Sequence, residues 1–344
     1  MKQDILSMTL SELTQAIAPL DLPKYRAGQI YRWLHKAGVS DFSQMTDLPL
    51  ALRERLNDNF VIFSCNIEKK LISEYDSTVK YLFSLHDGEL IESVVMKYKY
   101  GYTVCVSSQV GCRMGCRFCA STLSGVVRNL EPAEILSQVY TAERDLNVRV
   151  SHIVMMGMGE PLDNFDNVIR FLTLITDENG KNISMRHISL STCGIVPGIR
   201  ALAEKDLQLT LSVSLHAPNN EIRSAMMPVN KKWPVESLIA ACKDYIAKTS
   251  RRISFEYALV AGQNDSPACA RELAALLRGM LCHINLIPVN EVKETDCKES
   301  KPEQVKQFSD ILSGKGFAVT VRRRLGSDIN AACGQLRRSA QKKE

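Results

Sequence analysis

The sequence has no apolar run approaching the roughly 20 residues that a membrane helix needs. It also lacks a basic start followed by an apolar stretch, since Met1–Leu13 mixes polar and apolar residues, so no secretory leader is expected. Internal repeats and low-complexity tracts are missing, and nothing in the composition points to disorder. Neither a Gly-x-Gly-x-x-Gly nor a Walker pattern marks a cradle for nucleotide phosphates. These absences leave a globular, cytoplasmic chain. In that reducing compartment eleven cysteines, an odd number, are there for metal or catalysis rather than disulfide staples.

What is present fits one large domain and a small accessory one: 344 residues, 45% apolar and 24% charged. The net charge of +5 is unevenly placed. From Lys315 to the end, eight basic residues, among them Arg322, Arg323 and Arg324, face only Asp328 and Glu344. A basic end on a nearly neutral body suits a phosphate-rich partner. A solvated tail is the alternative.

Along the chain, three kinds of pattern follow one another. The first sixty residues predict short helices, with a capping box at Thr9 and Glu12 and apolar stripes at Ile30/Trp33/Leu34 and Leu48/Leu52/Leu56/Phe60. Val79–Phe83, Leu90–Met96 and Thr103–Val106 then predict a short antiparallel element. Beyond residue 100, strands at His152–Met156, His187–Ser191, Leu209–Leu215, Ile253–Val260, His283–Ile287 and Ala318–Arg322 alternate with amphipathic helical patterns. About six βα units imply an α/β fold with a parallel sheet, either a full or partial barrel or an open doubly wound sheet.

The strongest chemical signal is Cys112-Arg-Met-Gly-Cys116-Arg-Phe-Cys119. Three thiols this close converge on something, and no relaxed disulfide network fits three neighbours. A structural zinc site wants four protein ligands, and no fourth Cys or His follows at finger or ribbon spacing. A [4Fe–4S] cluster held by three thiolates leaves one iron open to a small molecule.

At these residues the chain resembles the radical S-adenosylmethionine superfamily. With Gly157-Met158-Gly159-Glu160-Pro161, Ser214-Leu215-His216-Ala217-Pro218-Asn219, Asn285–Asn290 and Asp328–Leu336, in that order, it resembles more narrowly the RlmN/Cfr family of RNA adenine methyltransferases. The likeness runs from about residue 25 to residue 337. Val127-Arg128-Asn129-Leu130 after the triplet looks more like the RlmN branch, which methylates adenine C2, than the Cfr branch, which methylates C8.

The resemblance implies a partial (βα)6-type barrel, with a helical N-terminal accessory region over 1–97, a core over 98–328 and a C-terminal segment over 329–344. It implies a [4Fe–4S] cluster on Cys112, Cys116 and Cys119, and S-adenosylmethionine at Gly159, Glu160, Ser191, Ser214, Leu215, His216 and Asn290. It further implies a two-stage chemistry. The cofactor first methylates Cys333; a second cofactor molecule supplies a radical that takes hydrogen from that methyl group, and the carbon then joins the base. Cys105 forms a disulfide with Cys333 to free the product, and Glu92 accepts the ring proton. The implied substrates are 23S rRNA near the peptidyl transferase centre and the adenosine 3′ of certain tRNA anticodons. The implied partners are an electron donor such as flavodoxin or ferredoxin, and the chain is expected to be a monomer.

Taken singly, Cys105 and Cys333 read as inert buried thiols and Glu92 as a solvent-facing strand residue. Cys65, Cys193, Cys242, Cys269, Cys282 and Cys297 fit no site pattern and read as packing residues, Cys193 being close to a cofactor contact. Two other classes account for parts of the sequence: a different radical enzyme, which explains the triplet but not Cys105, Glu92 and Cys333 together, and a non-catalytic RNA-binding protein with a structural metal.

Overall fold

The structure, a computed structural model, describes residues 2–289 and 297–329. Asn290 and Cys333 therefore lie outside the described residues.

The chain opens with β1 (Gln3–Asp4) and α1 (Leu10–Ile17). The capping box forms as expected: the Thr9 hydroxyl accepts from the Glu12 N–H, and the Glu12 carboxylate accepts from the Thr9 N–H at 2.8 Å. Helix α2 (Tyr25–Arg32) continues into a single π-turn at Trp33–Ala37 and stops at Gly38, whose φ of +68° favours glycine. Helix α3 (Leu50–Asn59) buries Leu52 and Leu56 and leads into β2 (Phe60–Val61), which pairs with β1.

Four antiparallel strands follow: β3 (Asn66–Ile72), β4 (Val79–Ser84), β5 (Leu90–Tyr98) and β6 (Gly101–Cys105). A two-strand hairpin of β7 (Gln109–Gly111) and β8 (Val126–Asn129) comes next. From there strands and helices alternate: α4 (Pro132–Leu146), β9 (Val150–Met155), α5 (Phe165–Thr176), β10 (Ile188–Thr192), α6 (Val196–Glu204), β11 (Thr210–Ser214), α7 (Asn220–Met226), α8 (Val235–Thr249), β12 (Ile253–Leu259), α9 (Pro267–Leu276), β13 (Cys282–Pro288), α10 (Pro302–Gly314) and β14 (Ala318–Val321).

One ten-stranded sheet carries the architecture, in the order β14-β13-β12-β11-β10-β9-β6-β5-β4-β3. All pairs from β6 to β14 are parallel. The order never reverses, so there is no switch point, and the doubly wound alternative is ruled out. The antiparallel strands are not a separate element, because β6 pairs with β5 on one side and β9 on the other. A division between residues 97 and 98 consequently falls inside β5, in a sheet that continues through it.

The N-terminal helices cover α4, which is why that helix is buried on every face from Pro132 to Glu143. Its Ala133 N–H donates to Ser7, and Tyr140 meets the buried His35. Arg170 on α5 grips Glu12 with two bonds of 2.8 Å, and the Tyr31 hydroxyl donates to Asp177 at 3.0 Å.

The two edge strands do not pair with each other, so the barrel is incomplete. Residues 322–329 bridge the opening instead. The Gly326 N–H donates to Asp76 at 2.8 Å, while Asp328 accepts from the Ser73 hydroxyl at 2.7 Å and the Glu74 N–H at 2.9 Å. Leu325 packs against Val94, Met96 and Cys105. This strap ties the end of β14 to the β3–β4 turn. The β3 edge itself carries Glu68, Lys69 and Lys70, charges that discourage pairing with another chain.

Candidate functional site

Side chains from β5, β6, β9, β10, β11, β12 and β13, together with the strap, enclose a cavity of about 710 Å³. The three cysteines of the triplet line it. So do Cys105, Gly159, Glu160, Ser191, Ser214 and His216.

The cysteine loop leaves and re-enters through the neck formed by β7 and β8. At that neck a Cβ on Gly111 would lie 2.0 Å from the Gly125 carbonyl oxygen, so only glycine lets the two strands close. The Cys112 N–H donates to that same carbonyl at 2.9 Å, and the Thr122 hydroxyl bonds the carbonyls of Cys116 and Cys119. The loop is thus held by backbone groups and the Thr122 hydroxyl.

Burial and the neighbouring thiols push Cys112 up to about 12, and Cys116 well above the ordinary thiol value. Two buried thiols and a half-buried third that oppose one another's ionisation fit a strongly cationic centre, which would stabilise them as thiolates. Among the described residues no three His, Cys, Asp or Glu side chains converge closely enough for a single ion. A cluster requires less convergence, because each thiolate binds a separate iron.

The loop after β9 is joined to the segment after β6. The Met158 carbonyl accepts from the N–H groups of Ser108 and Gln109, and the Glu160 N–H donates to the Gln109 side chain at 2.9 Å. A Cβ on Gly157 would stand 2.5 Å from the Val106 carbonyl oxygen, which makes this approach possible only for glycine. Glu160 is buried, its carboxylate accepting from the N–H groups of Leu162 at 3.1 Å and Cys193 at 2.7 Å. Burial holds its pKa above the usual carboxylate value despite those donors. Glu160 therefore locks the ends of β9 and β10 together at the cavity wall.

His216 takes a left-handed φ of +56°, unusual for a non-glycine residue. Its Nδ1 accepts from the Ala258 N–H at 2.8 Å, its carbonyl accepts from Asn264 at 2.7 Å, and Phe118 of the cysteine loop meets its ring edge-on. Burial lowers its pKa to about 3. The ring is accordingly neutral at physiological pH, and this bonding places its proton on Nε2. Leu215 differs from its neighbours: its side chain is in the core, and only its backbone bonds at the site, the carbonyl accepting from Arg223 and the N–H donating to the Glu256 carbonyl.

Glu92 is fully buried on β5, not solvent-facing, with Lys80 at 3.0 Å from its carboxylate. It shares a strand face with Val94 and Met96, which line the cavity, and its charge reaches Cys105 and Cys119. Burial raises the pKa of Cys105, while the cations of Arg322 and Lys80 oppose that rise. Arg322, Arg323 and Arg324 also line the cavity, Arg324 pairing with Glu299.

Sequence reasoning missed three groups. Glu256 faces the cavity, its carboxylate held by Ser254 at 3.0 Å and Asn285 at 2.6 Å. Cys193 packs in the core as expected and also lines the cavity. Arg223 is fully buried, donating to the carbonyls of Cys193 (2.6 Å), Ser214 (3.2 Å) and Leu215 (3.1 Å) and to the Asn230 side chain (3.0 Å). This guanidinium fixes the strand ends that carry Ser214 and His216. The Arg223→Met variant should lose about 3 kcal/mol or more of stability, because several buried acceptors lose their donor together. A urea unfolding midpoint equal to that of the unaltered chain would contradict this role.

A sequentially wound parallel sheet with a three-cysteine loop after its first parallel strand defines the class of radical S-adenosylmethionine enzymes. The Radical SAM superfamily model matches residues 106–272, and the Ribosomal RNA large subunit methyltransferase N-terminal domain matches residues 3–62. A probable dual-specificity RNA methyltransferase RlmN from Clostridium novyi is 53% identical over 98% of both chains. One of the same description from Clostridium tetani is 53% identical, over 97% of this chain and 96% of that one. The crystal structure of a radical SAM methyltransferase from Sphaerobacter thermophilus superposes with a TM-score of 0.93 at 42% identity, covering 97% and 98% of the two chains. The chain belongs to the RlmN family of radical S-adenosylmethionine methyltransferases. The superfamily uses a [4Fe–4S] cluster and S-adenosylmethionine. No helix among the described residues is long and apolar enough to cross a membrane.

Proposed function

We propose that this chain methylates carbon 2 of an adenosine in 23S rRNA at the peptidyl transferase centre, and of the adenosine 3′ of the anticodon in some tRNAs, through an S-methylated Cys333. The observation that carries the reading is the cavity that gathers the cysteine triplet, the polar strand ends and Cys105 into one space. The dual specificity in the relatives' names supports RNA of two kinds as substrate.

Cys112, Cys116 and Cys119 hold the cluster; Glu160, Ser191, Ser214 and His216, with the backbone at Gly159, form the bed for S-adenosylmethionine. When bound, these groups supply the methyl carbon and the radical chemistry that an unreactive ring carbon demands. The chain does the rest. Glu92, paired with Lys80, takes the proton from the methylated ring carbon. Cys105 attacks the carrier sulfur from the cavity wall, where Leu325 of the strap packs against it. The target base has to leave its stack to reach this interior, which favours unpaired segments. Functionally, residues 1–97 contribute RNA binding and also supply Glu92, residues 98–328 carry the radical chemistry, and 329–344 carry the methyl carrier.

Mass spectrometry of nucleosides from cells lacking the chain tests the position: 2-methyladenosine should disappear from rRNA and tRNA. Loss of 8-methyladenosine instead would move the activity to the C8 branch. Peptide mass spectrometry after incubation with S-adenosylmethionine should find an added methyl group on Cys333, and its absence would remove the carrier assignment.

A further inference from the structure

At the end of the barrel opposite the cysteine loop, four ring side chains form a continuous row. Tyr98 closes β5 and lines the cavity. Tyr100, at the tip of the β5–β6 hairpin, stacks on it with centroids 5.0 Å apart and planes 7° from parallel. The ring of His152 meets Tyr100 at 4.6 Å and 61°, and His187 stacks on His152 at 4.3 Å and 25°. Tyr100 is 61% exposed, and His187 is exposed.

Tight local geometry holds this row in place. The Lys99-Tyr100 tip is a two-residue turn closed by Gly101, whose φ is +126° and whose Cβ would lie 2.3 Å from the Ser151 hydroxyl oxygen. Ser151 in turn bonds the His152 ring at 2.9 Å, orienting it within the row. Aromatic surface left in water costs free energy unless something covers it.

Charge says what the covering partner is. Lys97, Lys99, Arg149 and Arg186 flank the rings, all exposed, and the segments 96–104, 148–153 and 184–188 contain no acidic residue. The carboxylate of Asp76, whose charge reaches Tyr98, is occupied by the N–H groups of Thr78 and Gly326. Stacked rings bordered by cations are the surface on which unpaired nucleobases lie, with phosphates meeting the cations. Cations alone would suit any acidic surface, but stacked rings set among them favour a strand that has bases to stack.

We propose that the Tyr98–Tyr100–His152–His187 row is a stacking platform for unpaired bases next to the target adenosine, leading the strand toward the cavity. The inference rests on RNA being the substrate and deepens that reading by naming where the strand lies.

The test uses the full chain and a labelled RNA hairpin with an unpaired adenosine-containing loop, beside the same sequence as a full duplex. Tyr100→Ala should weaken hairpin binding on the order of ten-fold, with no change for the duplex and no change in salt slope. Tyr100→Phe should bind as the unaltered chain does, and ultraviolet crosslinking should join loop nucleotides to the peptide containing Tyr98 and Tyr100. Equal binding by Tyr100→Ala, equal losses for hairpin and duplex, or crosslinks confined to other peptides would each overturn the platform while leaving RNA as substrate. An unaltered chain that binds neither RNA would overturn both.

Discussion

The Cys105→Ala variant is expected to finish its reaction as protein covalently joined to RNA. A thiolate attacking the sulfur of Cys333 forms an S–S bond and breaks the C–S bond, and the departing carbon keeps the electron pair and collects a proton as the methyl group. Without that thiolate the methylene bridge has no internal route to release. Cys105 ends β6 at the cavity wall, against Leu325 of the strap, where burial raises its pKa and the Arg322 cation opposes that rise. Substitution deletes one sulfur from a small cluster of apolar side chains, so the sheet should persist. Covalent RNA would appear as a ribonuclease-sensitive mobility shift under denaturing conditions. Glu92→Ala should trap an adduct as well, since the ring proton has to leave before the bond to sulfur breaks. Cys333→Ala should form none. Free methylated RNA at an undiminished rate from Cys105→Ala would return this cysteine to a packing role.

Replacing Cys112, Cys116 and Cys119 with alanine should remove about four irons per chain without unfolding it. The two halves of that expectation come from the same loop. Its thiols make no bond that the fold needs, while its backbone is held at the β7–β8 neck and by the Thr122 hydroxyl. The ten-stranded sheet does not include it. Iron analysis of the anaerobically prepared variant, beside its circular dichroism, separates the two effects. Iron retained at the unaltered level would move the cluster elsewhere; iron lost together with the helical signal would make the loop a structural element.

Much of this is legible in the residue pattern, for identifiable reasons. Strands such as Ile253–Leu259 and Ile188–Thr192 are short runs of alternating apolar residues between amphipathic helices, and local chemistry is enough to find them within a residue or two. The edge strand Asn66–Ile72 escapes the pattern, because its charged Glu68, Lys69 and Lys70 hide the alternation. The joining of antiparallel and parallel strands into one sheet depends on β6 meeting β9 across forty-odd residues, which no local window contains.

The site divides in the same way. Motif residues after strand ends can be read because their neighbours are diagnostic, and Gly159, Glu160, Ser191, Ser214 and His216 do meet in one cavity. Glu256 and Arg223 cannot: a lone carboxylate on a strand or a lone arginine on a helix more often faces water. Only the fold shows that Asn285 lies opposite the first and three carbonyls surround the second. Leu215 sits inside the right motif, yet alternation sends its side chain to the core.

The strap has a consequence for how the molecule is made. The triplet at Cys112–Cys119 and nine of the ten sheet strands precede β14 in the chain, and residues 322–329 come later still. During synthesis the cavity wall can therefore assemble with its side open, and the opening is bridged only when Gly326 and Asp328 reach the β3–β4 turn. Chain direction itself sets an order, with the metal-binding loop presented early and enclosure arriving with the last part of the described chain.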